Sequence, residues 1–363
     1  MAHPIPDVIE AFAAGEIVVV TDDDDREGEG DLIVAASLCT PEKMAFIIRH
    51  TSGIVCAPIT AADAQRLRLD PMVAHNDSAH TTAFTVSIDY KPGGTTGISA
   101  EERTACCRAL ANPNAGAGDF TRPGHVFPLI ARDGGVLLRS GHTEAAVDLC
   151  KLASLPPVGV ISELMNDDGS VMKGEQVVRF AAAHGLKHVT IADMIAYRQA
   201  REKLVERVSS FTTESPIGPL QGFAYRTPFD PVYHAAFVYG GIGDGRDILT
   251  RFHKPNIVKD VFLGHDRVSA ALEHFRKEGR GVLVYLRDGA AGVPVEPIDA
   301  PHTAEDDRNR QWREIGVGAQ ILRDLGVTSI RNLSMSSHDY MGLSGFGIEI
   351  VETIQLEGDG GRT

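Results

Sequence analysis

Cysteine is scarce in this chain and confined to its first half. Among 363 residues there are five cysteines, at positions 39, 56, 106, 107 and 150. An odd number without disulfide-like spacing suits a reducing compartment. Because no residue after Cys150 can supply a thiolate, a zinc–thiolate site is excluded from the second half of the sequence.

Long apolar runs and an excess of positive charge are also missing. No stretch approaches the ~20 apolar residues of a membrane span, and the N-terminus MAHPIPDVIEAF has neither a basic region nor a signal-like apolar core. The formal net charge of -14 opposes adhesion to nucleic acid and to anionic membranes, so local arginines must meet any bound phosphate. We therefore expect a cytoplasmic protein that binds neither nucleic acid nor membrane.

The length and the hydrophobic pattern predict two soluble domains. A chain that is 43% hydrophobic and 23% charged is typical of globular proteins, and strand-like runs alternate with helical stretches in both halves. A strand is expected at residues 187–192, with Asp193 capping a helix that continues to about Glu206. Serine, threonine, proline and glycine then cluster in SSFTTESPIGP. The sequence thus predicts a first domain at residues 1–206, a linker at 207–215, a second domain at 216–356 and a flexible tail at 357–363.

The segment DDDDREGEGD, residues 22–31, places seven carboxylates around a single arginine. A solvated acidic turn is the ordinary interpretation of such a run. Here, Gly28 and Gly30 permit close approach to a ligand, and crowded carboxylates favour a bound cation. A calcium loop does not fit, because Arg26 and Glu27 occupy its fifth and sixth positions. We favour a magnesium or manganese site shared with an anionic substrate, with Arg26 available to a phosphate.

Three further segments carry candidate chemistry. The run RSGHTE, residues 139–144, precedes a helical stretch, so Arg139 and free backbone amides could hold an anion while His142 binds a metal. His125 lies in TRPGHVFPL, which we interpret as a rigid proline-bounded turn; it is a candidate acid or base, although a histidine satisfied by backbone would have the same pattern. Glu163 follows a buried run. The segment TTGISAEER is by itself only a capped helix start.

Together these segments resemble 3,4-dihydroxy-2-butanone-4-phosphate synthase of riboflavin biosynthesis, over roughly residues 6 to 203. The signatures are DDDDREGEGD, IRHTSGIVC, TTGISAEER, TRPGHVFPL and GHTEAAVDL. The resemblance implies an α+β fold, a three-layer mixed twisted sheet with flanking helices, followed by an α/β second domain. It also implies a homodimer with sites near the interface, a sugar-phosphate substrate, and Mg²⁺ or Mn²⁺ as cofactor, with no zinc.

The resemblance implies a role for each matching residue. Arg26 would meet ribulose 5-phosphate, Glu27 and His142 would bind the metal, and Asp31 would contact substrate. The substrate-binding set also includes Glu27 and Glu163 and the phosphate loop Arg139, Ser140, Gly141, His142 and Thr143. Ser140 replaces the family's usual glycine or alanine. His125 and Glu163 match the two residues essential for catalysis. The matching positions that line the pocket with less defined roles are Glu29, Cys56, Thr96 and Glu144.

Residues 216 to 356 resemble GTP cyclohydrolase II, but most of that family's chemistry is replaced. Asn256 stands where the family has one zinc cysteine, and VFLGHDRVSA contains no Cys-x-Cys pair. His253 and His265 do not restore the pattern, and Gln311 replaces the aspartate partner of Arg313. The expectation is a monofunctional synthase with a silent second domain. A working bifunctional enzyme and a nucleotide-sensing or assembly module remain the alternatives.

Overall fold

The computed structural model describes residues 2–22, 28–78, 82–227, 232–256, 260, 267–287, 316–334 and 347–356. The chain divides into two units, residues 1–197 and 198–363. Within the described ranges, no helix is both long and apolar enough to cross a membrane.

Among the described residues of the first unit there are seven strands and seven α-helices, the last of which continues past residue 197. The strands are β1 (Val18–Thr21), β2 (Gly30–Ala35), β3 (Cys56–Ile59), β4 (Ile88–Tyr90), β5 (Phe120–Ile130), β6 (Gly159–Glu163) and β7 (Lys187–Thr190). The helices are α1 (Ile5–Ala13), α2 (Pro41–His50), α3 (Ala61–Leu67), α4 (Ala100–Leu110), α5 (His142–Leu152), α6 (Glu175–Ala183) and α7 (Ile191–Arg201). The strands form one mixed sheet in the order β4-β5-β3-β6-β2-β1-β7.

Helices cover this sheet because its central strands are apolar on both faces. All six residues of β2 are buried. Alternate positions such as Val19 and Leu32 share a core with α2, α4 and α6. The helix α5 contacts β1, β2, β3 and β6, and α1 packs against it. Every α5 residue from His142 to Cys150 is buried. The predicted three-layer α+β architecture is confirmed, and it carries the N-terminus of α5 to the middle of the sheet.

The second unit has its own seven-stranded mixed sheet. Its elements are β8 (Glu206–Ser215), β9 (Gly218–Arg226), β10 (Tyr233–Tyr239), β11 (Ile248–His253), α8 (Arg267–Glu278), β12 (Gly281–Tyr285), β13 (Ser329–Ser334) and β14 (Glu349–Gln355). The order is β14-β13-β11-β12-β10-β9-β8, with parallel pairing from β12 through β14. A helical segment at residues 316–324 packs on the parallel strands. The predicted α/β second domain is confirmed.

The segment predicted as a linker, residues 207–215, is instead most of strand β8. It pairs antiparallel with β9 along its whole length. Serine and threonine are common in loops, but an exposed edge strand also accepts polar and β-branched side chains on both faces. The preceding helix, α7, ends at Arg201 rather than near Glu206. The hydroxyl of Thr190, and not Asp193, caps it by accepting from the Asp193 backbone N–H. The predicted tail lies outside the described residues.

The segment predicted as a turn, TRPGHVFPL, lies within strand β5. The ladder between β4 and β5 jumps, however, because Ile88 pairs with Val126 while Asp89 pairs with Thr121. Residues 122–125 are therefore unpaired with β4 and form a bulge that includes His125. Bulges of this kind redirect side chains next to functional sites. The backbone is irregular here, as expected, but the irregular residues belong to strand β5 rather than to a turn.

Candidate functional site

A cavity of about 160 Å³ in the first unit collects residues from most of the predicted segments. Six of the predicted site residues line it: Asp31, Cys56, Arg139, His142, Thr143 and Glu163. They come from β2, β3, the loop before α5, α5 itself and β6. The sequence analysis had drawn them from separate signatures, and the fold brings their side chains to one space.

Strand register explains how the two carboxylates of the cavity meet. Asp31 in β2 lies opposite Glu163 in β6 on one side and opposite Val20 in β1 on the other. Directly opposed residues in an antiparallel pair have Cβ atoms about 4.5–5.5 Å apart. Asp31 is buried while Glu163 is exposed to the opening. The pair therefore combines a fixed carboxylate with an accessible one.

His142 is the first residue of α5 and is 7% exposed. Its Nε2 lies 3.1 Å from the carbonyl oxygen of Val20, which can only accept, so Nε2 carries the proton and donates. In the neutral ring, Nδ1 then holds the lone pair, and it lies 3.8 Å from Asp31 Oδ1. Metal-binding histidines usually donate their other N–H to a carbonyl or carboxylate in this way. An acceptor nitrogen facing a carboxylate oxygen fits a divalent cation.

The second predicted metal ligand, Glu27, lies outside the described residues, as does Arg26. Among the described residues, no group of three or more histidine, cysteine, aspartate or glutamate side chains forms a metal cage. Glu29 is described, but it does not line the cavity: its carboxylate lies 3.3 Å from Lys173 Nζ. Of the acidic-loop residues that the structure describes, Asp31 is the one that lines the cavity.

Arg139, the predicted phosphate clamp, is held by a buried glutamate. Its Nη1 donates to Glu144 Oε2 at 2.7 Å, and Glu144 Oε1 accepts from the Arg132 backbone N–H at 3.0 Å. Glu144 is 1% exposed and does not line the cavity, so it supports Arg139 rather than contacting a ligand. A Cβ on Gly141 would lie 2.2 Å from Arg139 Nη1, which explains the glycine. Ser140 and Gly141 are buried behind the cavity wall.

The N-terminus of α5 completes an anion site. Gly141 is its N-cap and makes no side-chain cap, so the first backbone N–H groups of the helix face outward. Arg139, His142 and Thr143 line the cavity at this end. The N–H groups of a first helical turn have no acceptor within their own helix, and together with the helix dipole and a guanidinium they suit a phosphate group.

Cys56 lines the cavity as a neutral thiol. It is 8% exposed, and burial together with the charges of Asp31 and Glu163 raises its pKa far above the ordinary value. A thiol held protonated is neither a nucleophile nor a metal ligand near neutral pH. Cys56 therefore lines the cavity, as predicted, as an uncharged part of its wall.

Thr96 and His125 do not line the cavity of their own chain. Both are exposed. The loop carrying Thr96 is held by Glu102, whose carboxylate accepts from Thr95 and Ser99, and these hydrogen bonds lower its pKa to about 2. His125 projects from the β5 bulge. Thr96, which was predicted to line the pocket, and His125, which was predicted to be catalytic, thus both lie on the exposed surface of this chain.

Seven residues that line the cavity were not predicted as site residues, and three of them carry hydroxyl groups: Ser52, Thr82 and Ser162. Ser52 lies inside the signature IRHTSGIVC, and this is the sequence feature that could have placed it at the site. Thr82 Oγ1 accepts from Arg139 Nη2 at 3.1 Å. Ser162 donates to the Ile54 carbonyl at 3.0 Å. Serine and threonine are common residues, and nothing in the local sequence shows that these hydroxyl groups bind Arg139 or a backbone carbonyl beside the cavity.

In the second unit, the residues near the replaced zinc ligand form a small polar cluster. His253 is 3% exposed, and its Nε2 lies 3.3 Å from Asp260 Oδ2. The Asn256 backbone N–H donates to the same oxygen at 2.7 Å. Burial lowers the pKa of His253. His265, Gln311 and Arg313 lie outside the described residues.

A mixed α/β fold with polar and ionisable side chains gathered in one cavity is typical of an enzyme that acts on a small molecule, and the comparisons identify its family. Residues 6–197 match 3,4-dihydroxy-2-butanone 4-phosphate synthase, and the chain belongs to this family, which comprises lyases of riboflavin biosynthesis. Residues 206–355 match GTP cyclohydrolase II, so the chain is the fused, two-domain form.

Relatives and solved structures support this assignment along the whole chain. The bifunctional riboflavin biosynthesis protein RIBA 1, chloroplastic, of Arabidopsis thaliana is 44% identical over 97% of this chain and 68% of that protein. The monofunctional RIBA 2, chloroplastic, of the same plant is 44% identical over 97% and 76%. RibBX of A. baumannii, a two domain synthase, has a TM-score of 0.82 at 35% identity, covering 96% of this chain and 99% of its own. A synthase in complex with two magnesium ions has a TM-score of 0.54 at 50% identity, covering 55% and 98%.

Proposed function

We propose that the first domain converts D-ribulose 5-phosphate to 3,4-dihydroxy-2-butanone 4-phosphate and formate in the cavity of β2, β6 and α5. The observation that carries this proposal is the convergence of Asp31, Arg139, His142, Thr143 and Glu163 on one cavity. Carboxylates, imidazole and a phosphate clamp are the groups that the reaction needs. The family match is consistent with the same activity.

Each group has a distinct task in the proposed mechanism. Arg139 and the amides of α5 hold the phosphate end of the substrate, and Asp31 holds a hydroxyl. Glu27 and His142 would hold a divalent cation, which would supply Lewis-acid chemistry: it would acidify the carbon next to the ketone and stabilise negative charge on the substrate oxygens. Glu163 and His125 move protons during the skeletal shift and the loss of one carbon as formate. The buried walls restrict water.

Magnesium or manganese is the proposed cofactor. Imidazole and carboxylate donors suit both ions, and a solved synthase 50% identical to this chain was crystallised with two magnesium ions. Zinc is not expected, because the second half of the sequence has no cysteine to form the thiolate cage of a cyclohydrolase site. The cytoplasmic location also stays a prediction, since the plant relatives are named chloroplastic.

For the second domain, we propose that it lacks cyclohydrolase activity. The whole sequence contains no cysteine beyond Cys150, so Zn²⁺ would have no thiolate cage there. A working bifunctional enzyme is the second candidate, and both the cyclohydrolase II match and the naming of RIBA 1 as bifunctional favour it. The relatives also include a protein named monofunctional and a two domain synthase. A nucleotide-sensing or assembly role would fit a silent domain.

A paired assay of the purified full chain tests both domains. With ribulose 5-phosphate and Mg²⁺ or Mn²⁺, formate and the four-carbon phosphate should appear, and chelation should stop the reaction. With GTP and added Zn²⁺, no formate or pyrophosphate should appear above a no-enzyme control. Turnover of GTP at an enzymatic rate would replace the silent-domain proposal with the bifunctional one, and absence of the first reaction would overturn the synthase assignment.

We further propose a homodimer through the synthase domain, with the sites near its interface. His125 and Thr96 lie outside the cavity of their own chain, which suits residues that face a second copy. Large apolar side chains are exposed in the same domain: Ile54, Met72, Val73 and Ile98. Ile54 also lines the cavity. Exposed apolar patches of this kind mark interaction surfaces.

Light scattering of the purified chain should give twice the mass of one chain. Mixing inactive His125→Gln and Glu163→Gln chains should restore activity, because hybrid dimers regain one site in which both residues are intact; random pairing gives about a quarter of the wild-type sites in a two-fold dimer. A monomeric mass, or no recovery after verified subunit exchange, would contradict the shared site.

A further inference from the structure

The β5 bulge is held by a single carboxylate from the neighbouring strand. Asp89 in β4 accepts from the His125 backbone N–H at 2.8 Å through Oδ1. Its Oδ2 lies 2.8 Å from the Nδ1 of the same residue. An ionised carboxylate only accepts hydrogen bonds, so the proton of the ring must be on Nδ1. Both the position of the bulge and the tautomer of His125 therefore depend on Asp89.

The carboxylate of Asp89 is itself confined by Gly97 and attracted by the charge of Arg103. A Cβ on Gly97 would lie 2.1 Å from Asp89 Oδ2, so the carboxylate rests directly on this glycine, which also has a φ of +82°. Arg103 of α4 is 6% exposed and donates to the Gly53 carbonyl at 2.9 Å. Burial lowers the pKa of Arg103, and attraction to the negative charge of Asp89 partly opposes this lowering. The signature TTGISAEER thus supplies Gly97, against which the Asp89 carboxylate packs, and Arg103, whose positive charge attracts it.

We infer that Asp89 is a positioning residue for the reaction, holding His125 as the Nδ1–H tautomer with its Nε2 directed outward to take up or deliver a proton. The inference rests on the proposed function, in which His125 takes part in proton transfer. A histidine on an exposed bulge, with 44% of its side chain accessible, would otherwise sample several rotamers and both tautomers. Proton transfer requires a defined nitrogen at a defined place.

The isosteric variant Asp89→Asn isolates this role. Asparagine keeps the shape, but its amide NH₂ must face His125 Nδ1 if its oxygen still accepts from the backbone, and this favours the opposite tautomer. We expect kcat to fall on the order of 10²-fold with KM changed little, because general acid–base catalysis typically contributes 10²–10⁴-fold. Asp63→Asn is the matched control: its carboxylate is 21% exposed, against 17% for Asp89, and its hydrogen-bond partners are Thr60 and Arg66 rather than residues of the β5 bulge. This control should retain wild-type kcat.

A double-mutant cycle separates positioning from structural damage. In a His125→Gln background, Asp89→Asn should cause no further loss of kcat, because a residue that acts through His125 has nothing left to position. In ¹⁵N-labelled protein, the ring signals that disappear in His125→Gln should report a protonated Nδ1 in the wild type and a protonated Nε2 in Asp89→Asn. Thermal unfolding of each variant checks that the fold is kept.

Additive losses in the cycle, or an unchanged His125 tautomer in Asp89→Asn, would overturn the inference. So would a wild-type kcat in that variant. Failure of the proposed function has a different signature, since the wild-type chain itself would then not convert ribulose 5-phosphate. In that case the tautomer measurement still tests the contact between Asp89 and His125.

Discussion

Glu163→Gln is expected to lower kcat for ribulose 5-phosphate by about 10²–10⁴-fold, the usual contribution of a general acid or base. Glu163 ends β6 at the opening of the cavity, opposite Asp31 of β2. Glutamine preserves the size and the hydrogen-bonding reach of the side chain but neither accepts nor releases a proton near neutral pH. KM should change much less than kcat, because the phosphate is held elsewhere by Arg139 and the start of α5.

Release of formate under saturating substrate measures this effect, with KM determined from the same progress curves. Glu175→Gln is the matched control: its carboxylate is 92% exposed and pairs only at 3.7 Å with Arg179 on the surface of α6. A Glu163→Gln enzyme with kcat within twofold of the wild type would remove Glu163 from the proton-transfer steps.

His142→Ala is expected to lose metal-dependent turnover, and Glu27→Ala should do the same. Changing even the outer partners of a metal ligand typically costs 10–100-fold in metal affinity, so loss of the ligand itself should cost about 10²-fold or more. The geometry favours this role because Val20 fixes the proton on Nε2, while Nδ1 faces Asp31. The variant also removes a buried ring, so its thermal unfolding should be recorded alongside.

Binding of Mn²⁺, followed by electron paramagnetic resonance of the free ion, gives a readout that is independent of turnover. The wild type should bind the ion, and His142→Ala should bind it far more weakly. His75→Ala, which replaces an exposed histidine, is the control and should leave binding unchanged. Equal Mn²⁺ affinity in His142→Ala and wild type would show that this histidine is not a ligand.

Particular residues show how far sequence patterns reach. The helical stretch after residues 139–144 was predicted from the sequence pattern, and helix α5 begins there, at His142. Strand β8 was not predicted, because an exposed edge strand has the same polar composition as a loop. Glu144 was assigned to the pocket, whereas its burial behind Arg139 depends on how α5 packs. No local sequence pattern distinguishes a residue that contacts a ligand from one that supports such a residue from behind.

The sequence by itself determined the chemical inventory: the signatures of the synthase, the candidate residues, and a second half without cysteine. These depend on residue type and spacing, which are local properties of the chain. Only the tertiary structure decided which candidates share a space, because strand register sets Asp31 against Glu163, and sheet order brings α5 beside them. It also separated His125 from the cavity of its own chain and joined it to Asp89, 36 residues away. Contacts of that separation arise from packing, which no local pattern encodes.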